Sequence, residues 1–321
     1  MLINLRGVKE SGVTFAIPTY FFLAMMFITV IIGFIRLISG SLGPVVNPPE
    51  MEIAATQTVS IFLLLRAFSN GTTSLTGVEA ISNGITAFRE PRSKNAGATL
   101  MWMAGILGTL LLGITYLSVH IGALPSESET VISQLVRTIY ESRGILYILV
   151  ISSTTMILVM AANTAFADFP RLGALVAGDG FLPRQLTFRG SRLVYSRGII
   201  ALAAIASLLV VAFQASVTNL IPLYAIGVFL SFTLSQTGMA RRWWKSGRLK
   251  KDEEIVEPGS VVRYDSGWKH KMFINALGAV CTAMVMIVFA VTKFNDGAWI
   301  VVILTPMLVA IFVAIRKKKK N

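Results

Sequence analysis

The chain has 321 residues, 54% of them hydrophobic and only 14% charged, with a mean hydropathy of +0.70. Soluble domains carry about 25% charged residues, so the composition excludes a water-soluble globular protein and points to an all-α membrane protein. The formal net charge of +13 does not make this a nucleic-acid protein. Its basic residues fall in blocks between apolar runs, whereas nucleic-acid binding needs them gathered on one folded face.

Eight apolar runs can be read as bilayer spans, each needing about 20 residues as helix. The first runs from Val13 to Ile38, and no secretory leader is expected ahead of it, because MLINLRGVKESG is polar. A Pro/Gly-rich loop without Lys or Arg follows. The second run, Thr56 to Glu90, is interrupted by Ser69-Asn70-Gly71-Thr72-Thr73-Ser74-Leu75-Thr76-Gly77. An unpaired backbone group in hydrocarbon costs several kcal/mol, so a break of this kind is expected only where it is buried in protein or lines a wet cavity. Transporters use such breaks to bind ions and substrates. Glu79 follows three residues after Thr76, a spacing that places both on one face if the helix resumes between them. Arg66, in the first half of the stretch, is expected to face protein rather than lipid.

The third run covers Ala98 to Val119. Beyond it, 120–144 form an outer segment in which Ile132, Leu135, Val136, Ile139 and Tyr140 recur at helical spacing. Glu127 and Glu129 lie near its start, where the helix dipole favours acids, and Gly144 follows its end. This predicts an extracellular amphipathic helix, either a cap on the bundle or a lid over a substrate path. The fourth run, Ile145 to Ala167, carries Ser152, Ser153, Thr154 and Thr155, with Asn163 and Asp168 at its far end. Hydroxyls in membrane helices are usually packing contacts, and a cation site is the competing reading. A basic loop leads to a close pair of runs, Ile199–Phe213 and Leu220–Met239, the second holding Tyr224 and Thr233. A basic cytoplasmic loop at 241–271 separates these from the last two runs, Phe273–Val291 and Ala298–Ile315.

Orientation follows from counting. With the N-terminus inside, 24 of the 29 Lys and Arg residues fall in inside segments, the pattern of a multi-pass protein of the cell membrane with both termini cytoplasmic. The single cysteine, Cys281, lies within an apolar run and allows neither a disulfide nor a cysteine metal cluster. His120 and His270 are the only histidines. No ligand cluster or nucleophile–base pair is visible, so neither enzyme chemistry nor a cofactor or metal is expected. A non-transporting scaffold or sensor is the other class weighed.

The stretch TSLTGVEAISNGITAFREPRSKNAG resembles the APC superfamily of amino acid, polyamine and cation transporters. Its Gly-Val-Glu is similar to the sixth transmembrane helix of that family, and GDGFLPRQL to the cytoplasmic signature after helix eight. The blocks FREPRSKNAGATLMWM and NTAFADFPRLGALVAGDGFLPRQL look most like the KimA-type potassium importers within it. The resemblance covers essentially the whole chain. It implies a LeuT-like inverted-repeat fold, of which 1–321 would be one partial transporter domain: helices five to twelve with a broken helix six, lacking helices one to four and the cytoplasmic C-terminal domain.

Carried over by position, the resemblance puts Thr76 and Glu79 at cation-binding and proton-coupling positions, and Tyr224 at a further binding position on helix ten. Asn70, Gly71, Thr72 and Thr73 complete the expected cation site, because neutral hydroxyl and carbonyl oxygens can replace the hydration shell of a large monovalent ion. The implied function is proton-coupled potassium import, with potassium, protons and the lipid bilayer as partners and a homodimer left open. The alternative is an amino acid permease of the same superfamily, whose unwound backbone would hold the substrate's carboxylate and ammonium.

Overall fold

The computed structural model describes residues 12–49, 60–85, 88–126, 128–188, 195–251, 253–257 and 260–320. Arg6, Lys9, Glu127, Arg189, Arg192 and the first residues of the broken stretch, 56–59, lie outside them. The described residues form ten α-helices in chain order: α1 (Gly12–Ile38), α2 (Ile61–Thr72), α3 (Glu79–Asn83), α4 (Arg92–His120), α5 (Val131–Ile139), α6 (Ile145–Gly178), α7 (Ser196–Ala212), α8 (Val217–Ser246), α9 (Trp268–Thr292) and α10 (Trp299–Lys320). A two-stranded hairpin, β1 (Glu254–Glu257) and β2 (Ser260–Arg263), lies between α8 and α9.

Among the described residues six helices are long and apolar enough to cross a membrane: α1, α4, α6, α8, α9 and α10. The other two runs take different forms. The fifth is the shorter helix α7, and the second is divided into α2, a 3-10 turn at Thr73–Leu75, and α3. Two helices outrun their apolar stretches. At about 1.5 Å per residue, the 34 residues of α6 exceed a hydrocarbon core of about 30 Å. They continue past Asp168 because the residues around Pro170 remain rich in Ala and Leu, while α8 carries Arg241 and Arg242 in its last turns. Helix ends follow ordinary chemistry. Gly40, at φ +70, lets Ser41 N–H reach the Arg36 carbonyl at 2.9 Å, and Gly122, also at φ +70, does the same for Ala123 and Ser118 at 2.9 Å.

The chain divides into two compact units, Met1–Gln57 with Val78–Ile205 and Lys318–Asn321, and Thr58–Gly77 with Ala206–Lys317. In the first unit α1 packs against α4, α5 and α6. The core contains Met26, Val30, Leu117, Leu135, Val136 and Val150. Two glycines permit the approach of α1 to its neighbours. A Cβ on Gly113 would stand 2.7 Å from Val30 Cγ1, and one on Gly33 would stand 2.6 Å from Leu117 Cδ1. Small residues at crossings are how membrane helices gain packing contacts without a hydrophobic driving force.

The amphipathic helix forms over Val131–Ile139, capped by Thr130, whose hydroxyl accepts from Ser133 N–H at 3.2 Å. Leu135, Val136 and Ile139 of its apolar stripe are fully buried. Gln134 ties it down by accepting from Leu124 N–H at 3.0 Å and donating to the Leu124 carbonyl at 2.7 Å. Glu129 receives Arg137 at 3.1 Å, Ser133 at 2.7 Å and Arg143 at 3.4 Å. Desolvation opposes the charge on this carboxylate, but the bonds and charges of Arg137, Ser133 and Arg143 outweigh it and hold its pKa below the usual range.

In the second unit α8 packs along α9 through Ile226, Phe229, Val285 and Phe289, with the Phe229 and Phe289 rings stacked at 5.8 Å. Thr233 donates to Thr282 across the two helices at 3.0 Å, a contact worth about 0.6 kcal/mol in membrane helices. Helix α2 also packs on α9. Along α10, Ile303, Met307 and Val309 are more than half exposed, as expected of a lipid-facing surface.

Candidate functional site

The interruption of the second run is much shorter than its composition predicts. Ser60 caps α2 by accepting from Leu63 N–H at 3.2 Å, and the helix then runs through Ser69, Asn70 and Gly71 to Thr72. The 3-10 turn carries it to Leu75. Only Thr76, extended at φ −72 and ψ 152, and Gly77, at φ +98, leave the helical region before α3 resumes at Glu79. This corrects two expectations. The nine residues from Ser69 to Gly77 are not unwound as a block, and Thr76 does not share a continuous helix with Glu79.

The physical reason lies in the hydroxyls. Ser69 donates to the Arg66 carbonyl at 2.9 Å, Thr72 to Ser69 at 2.8 Å, Ser74 to Gly71 at 2.8 Å and Thr76 to Thr73 at 2.7 Å. Each side chain thereby satisfies its own hydrogen inside the turn, so Ser and Thr do not break the helix. The lone pairs of each oxygen face outward from that bond. Such oxygens can accept from a donor or meet a cation; they cannot act as nucleophiles without a base.

The predicted residues are placed as follows. Thr72 is buried, Thr73 and Thr76 are half-buried, and Asn70 and Gly71 are exposed. Asn70 and Thr73 line a cavity of about 190 Å³ together with Ile221 of α8 and Lys293. Tyr224, three residues beyond Ile221, is 47% exposed and does not line that cavity. Glu79 is half-buried at the first position of α3, and it belongs to the first unit whereas Thr76 belongs to the second. In run four Ser153 likewise donates to the Val150 carbonyl at 2.7 Å and Thr154 to Ile151 at 2.8 Å, within their own helix.

Two features were not anticipated. Ser69 and Thr292 bring their hydroxyl oxygens within 3.4 Å, linking α2 to the end of α9. Lys293, in the short connection between the last two apolar runs, is only 4% exposed. It stands at the end of α9, before a π-helical turn at Phe294–Ala298. Its proximity to the apolar run ending at Val291 was the available signal, but composition alone does not say which side of a loop packs inward. Among the described residues no group of three or more His, Cys, Asp or Glu could hold a metal ion. In the first unit, a cavity of about 580 Å³ is lined by Arg36, Glu129, Arg137, Glu141 and Arg143. Arg36 pairs there with Glu141, and Glu129 with both Arg137 and Arg143.

These helices, with a divided second run and long apolar surfaces, define a multi-pass α-helical membrane protein. The sequence matches the family model described as amino acid permease over residues 1–315. It is 40% identical over 316 residues to the potassium transporter KimA of Bacillus subtilis (strain 168), covering 98% of this chain and 49% of KimA. The chain belongs to the amino acid permease family. It spans about half the length of the curated relative it matches.

Proposed function

We propose that the chain is part of a secondary transporter that imports potassium together with protons, and that it acts in transport and not as an enzyme. The observation that carries this reading is the 40% identity, sustained along 98% of the chain, to a protein described as a potassium transporter. The hydroxyl-rich end of α2 is compatible with it, since its side chains offer neutral oxygens suited to a monovalent cation. In this reading Asn70, Gly71, Thr72, Thr73, Thr76 and Tyr224 serve the cation. Glu79 exchanges protons, as intramembrane carboxylates do in coupled transporters. Alternating access would rock helical elements about a midplane site, with the 120–144 segment as an outer lid. The distribution of Lys and Arg supports a cytoplasmic location for both termini. Exposed apolar faces on α9 and α10 leave room for lipid or a second copy of the chain.

The match of residues 1–315 to the amino acid permease description favours a second reading, an amino acid substrate. Rubidium uptake separates the two. Cells deficient in potassium import would express either this chain alone or a chimera in which it replaces the matching half of KimA. Rubidium uptake by the chimera supports potassium. Labelled amino acid uptake without rubidium uptake, from a chimera present in the membrane, overturns it. Uptake of neither, with the chimera in the membrane, moves the reading to a non-transporting scaffold or sensor.

A further inference from the structure

The segment between α8 and α9 is built as a surface. From Arg241 to Lys271 it holds nine Lys and Arg against five Asp and Glu, with Trp243, Trp244 and Trp268 at its ends. The strand register pairs Glu254 with Arg263, Ile255 with Val262, Val256 with Val261 and Glu257 with Ser260. Cross-strand partners share a face, so the hairpin has two distinct sides. One side is docked. Val262 is 2% exposed, Arg242 of α8 donates to Ser260 Oγ at 2.8 Å and the Val261 carbonyl at 3.0 Å, and Lys245 pairs with Glu257. The other side carries the Glu254–Arg263 pair and two exposed valines, Val256 at 80% and Val261 at 41%.

The charge is just as asymmetric. Three of the five acids, Glu254, Glu257 and Asp265, are paired with Arg263, Lys245 and Lys271. Among the described residues Arg241, Arg248, Lys250, Lys251 and Lys269 make no ion pair, and the Arg248 guanidinium lies 3.5 Å over the Trp244 ring. Both ends of the segment continue into candidate spans, which hold it within reach of a bilayer surface. Tryptophan favours the headgroup level, and juxtamembrane basic clusters are drawn to anionic lipid within about a Debye length.

We propose that this hairpin and the end of α8 form a docking surface for the anionic phospholipid headgroups of the leaflet they adjoin. Arg248, Lys250 and Lys251 meet the phosphates, and the Val256–Val261 pair lies at the acyl boundary. The proposal is independent of the transported substrate.

The test uses the full chain reconstituted in vesicles of phosphatidylcholine alone or of phosphatidylcholine with phosphatidylglycerol. Amide hydrogen exchange over 254–263 is followed in both. Exchange should slow by about tenfold or more in the anionic vesicles, and added salt should reverse it. Replacing the three cations together, Arg248→Gln, Lys250→Gln and Lys251→Gln, should abolish the difference. Arg248→Lys with Lys250→Arg and Lys251→Arg should keep it. Equal exchange in the two vesicle types overturns the proposal, as does protection that survives the glutamine substitutions. Protection insensitive to salt in the unsubstituted chain also overturns it, and that arm does not depend on any variant folding.

Discussion

Thr76 stands extended at ψ 152, and Glu79, three residues on, opens a new helix, with Gly77 between them at φ +98. The sequence places a hydroxyl and a carboxylate one helical turn apart, and the backbone separates them. A positive φ is open to glycine and strained for residues with a Cβ.

Gly77→Ala isolates that backbone requirement. Apart from its own chain neighbours, nothing lies within 4 Å of where the new Cβ would sit, so the cost is the local backbone clash of a positive φ and not tertiary overpacking. A loss of stability of about 1–2 kcal/mol is expected, read as a lowered unfolding temperature in detergent. An unchanged temperature would mean that the turn relaxes to another conformation.

If the proposed coupling is correct, Glu79→Gln in the KimA chimera should remove the pH dependence of rubidium uptake while leaving the protein in the membrane. The motive is the half-buried carboxylate at the start of α3. A pH profile like that of the unsubstituted chimera would sink the coupling role.

Thr76→Ala should raise the rubidium KM more than it lowers the amount of protein in the membrane. Its hydroxyl donates to the Thr73 carbonyl at 2.7 Å, so its lone pairs are what a cation would lose. An unaltered KM, with reduced expression alone, would make Thr76 a residue of local structure.

Glu129 predicts a pH effect outside the candidate spans. Its folded-state pKa is depressed by Arg137, Ser133 and Arg143 acting against desolvation. In the window between its folded and unfolded pKa values the unfolded chain binds the proton more readily, so stability rises with pH. The contribution is complete above the unfolded value, near 4.5, and is lost as pH falls through the folded value. Thermal unfolding of the intact chain should therefore drop more steeply on acidification than that of Glu129→Gln. Parallel curves for the two proteins would contradict this assignment.

Gly247→Ala tests how the end of α8 meets α9. A Cβ there would stand 2.2 Å from Cδ2 of Trp268, a rigid ring that cannot fold away as an aliphatic chain end would. Overpacking of this kind costs about 1–3 kcal/mol. Thermal unfolding should register it, and the Trp fluorescence should shift as the indole is displaced. A variant with unaltered emission and stability would show that the contact yields freely.

Much of the architecture was legible because it depends on composition over long windows. A helix that crosses a bilayer must satisfy its backbone internally and present apolar side chains, so α1, α4, α6, α8, α9 and α10 follow from their apolar runs. The amphipathic helix was legible too, since the spacing of Ile132, Leu135, Val136 and Ile139 is itself a statement about one face. Family membership was readable in the blocks around Gly77-Val78-Glu79 and in GDGFLPRQL, because such motifs are contiguous along the chain.

Other features needed the fold. Ser69, Thr72 and Ser74 read as breakers, yet their hydroxyls bond back into the turn and let the helix continue to Leu75. Composition records which polar groups are present but not whom they bond. Lys293 reads as a loop residue, and only the packing of α9 with α2 and α8 buries it beside Asn70 and Thr73. The sequence by itself determined the class, the family and six of the eight runs as candidate spans, because lipid imposes one pattern along each helix. The structure decided where the break falls, because hydroxyls bond back within the turn and Gly77 takes a positive φ. It also decided which side chains come together across helices, because that depends on contacts between residues more than 200 positions apart, as Ser69 and Thr292 are.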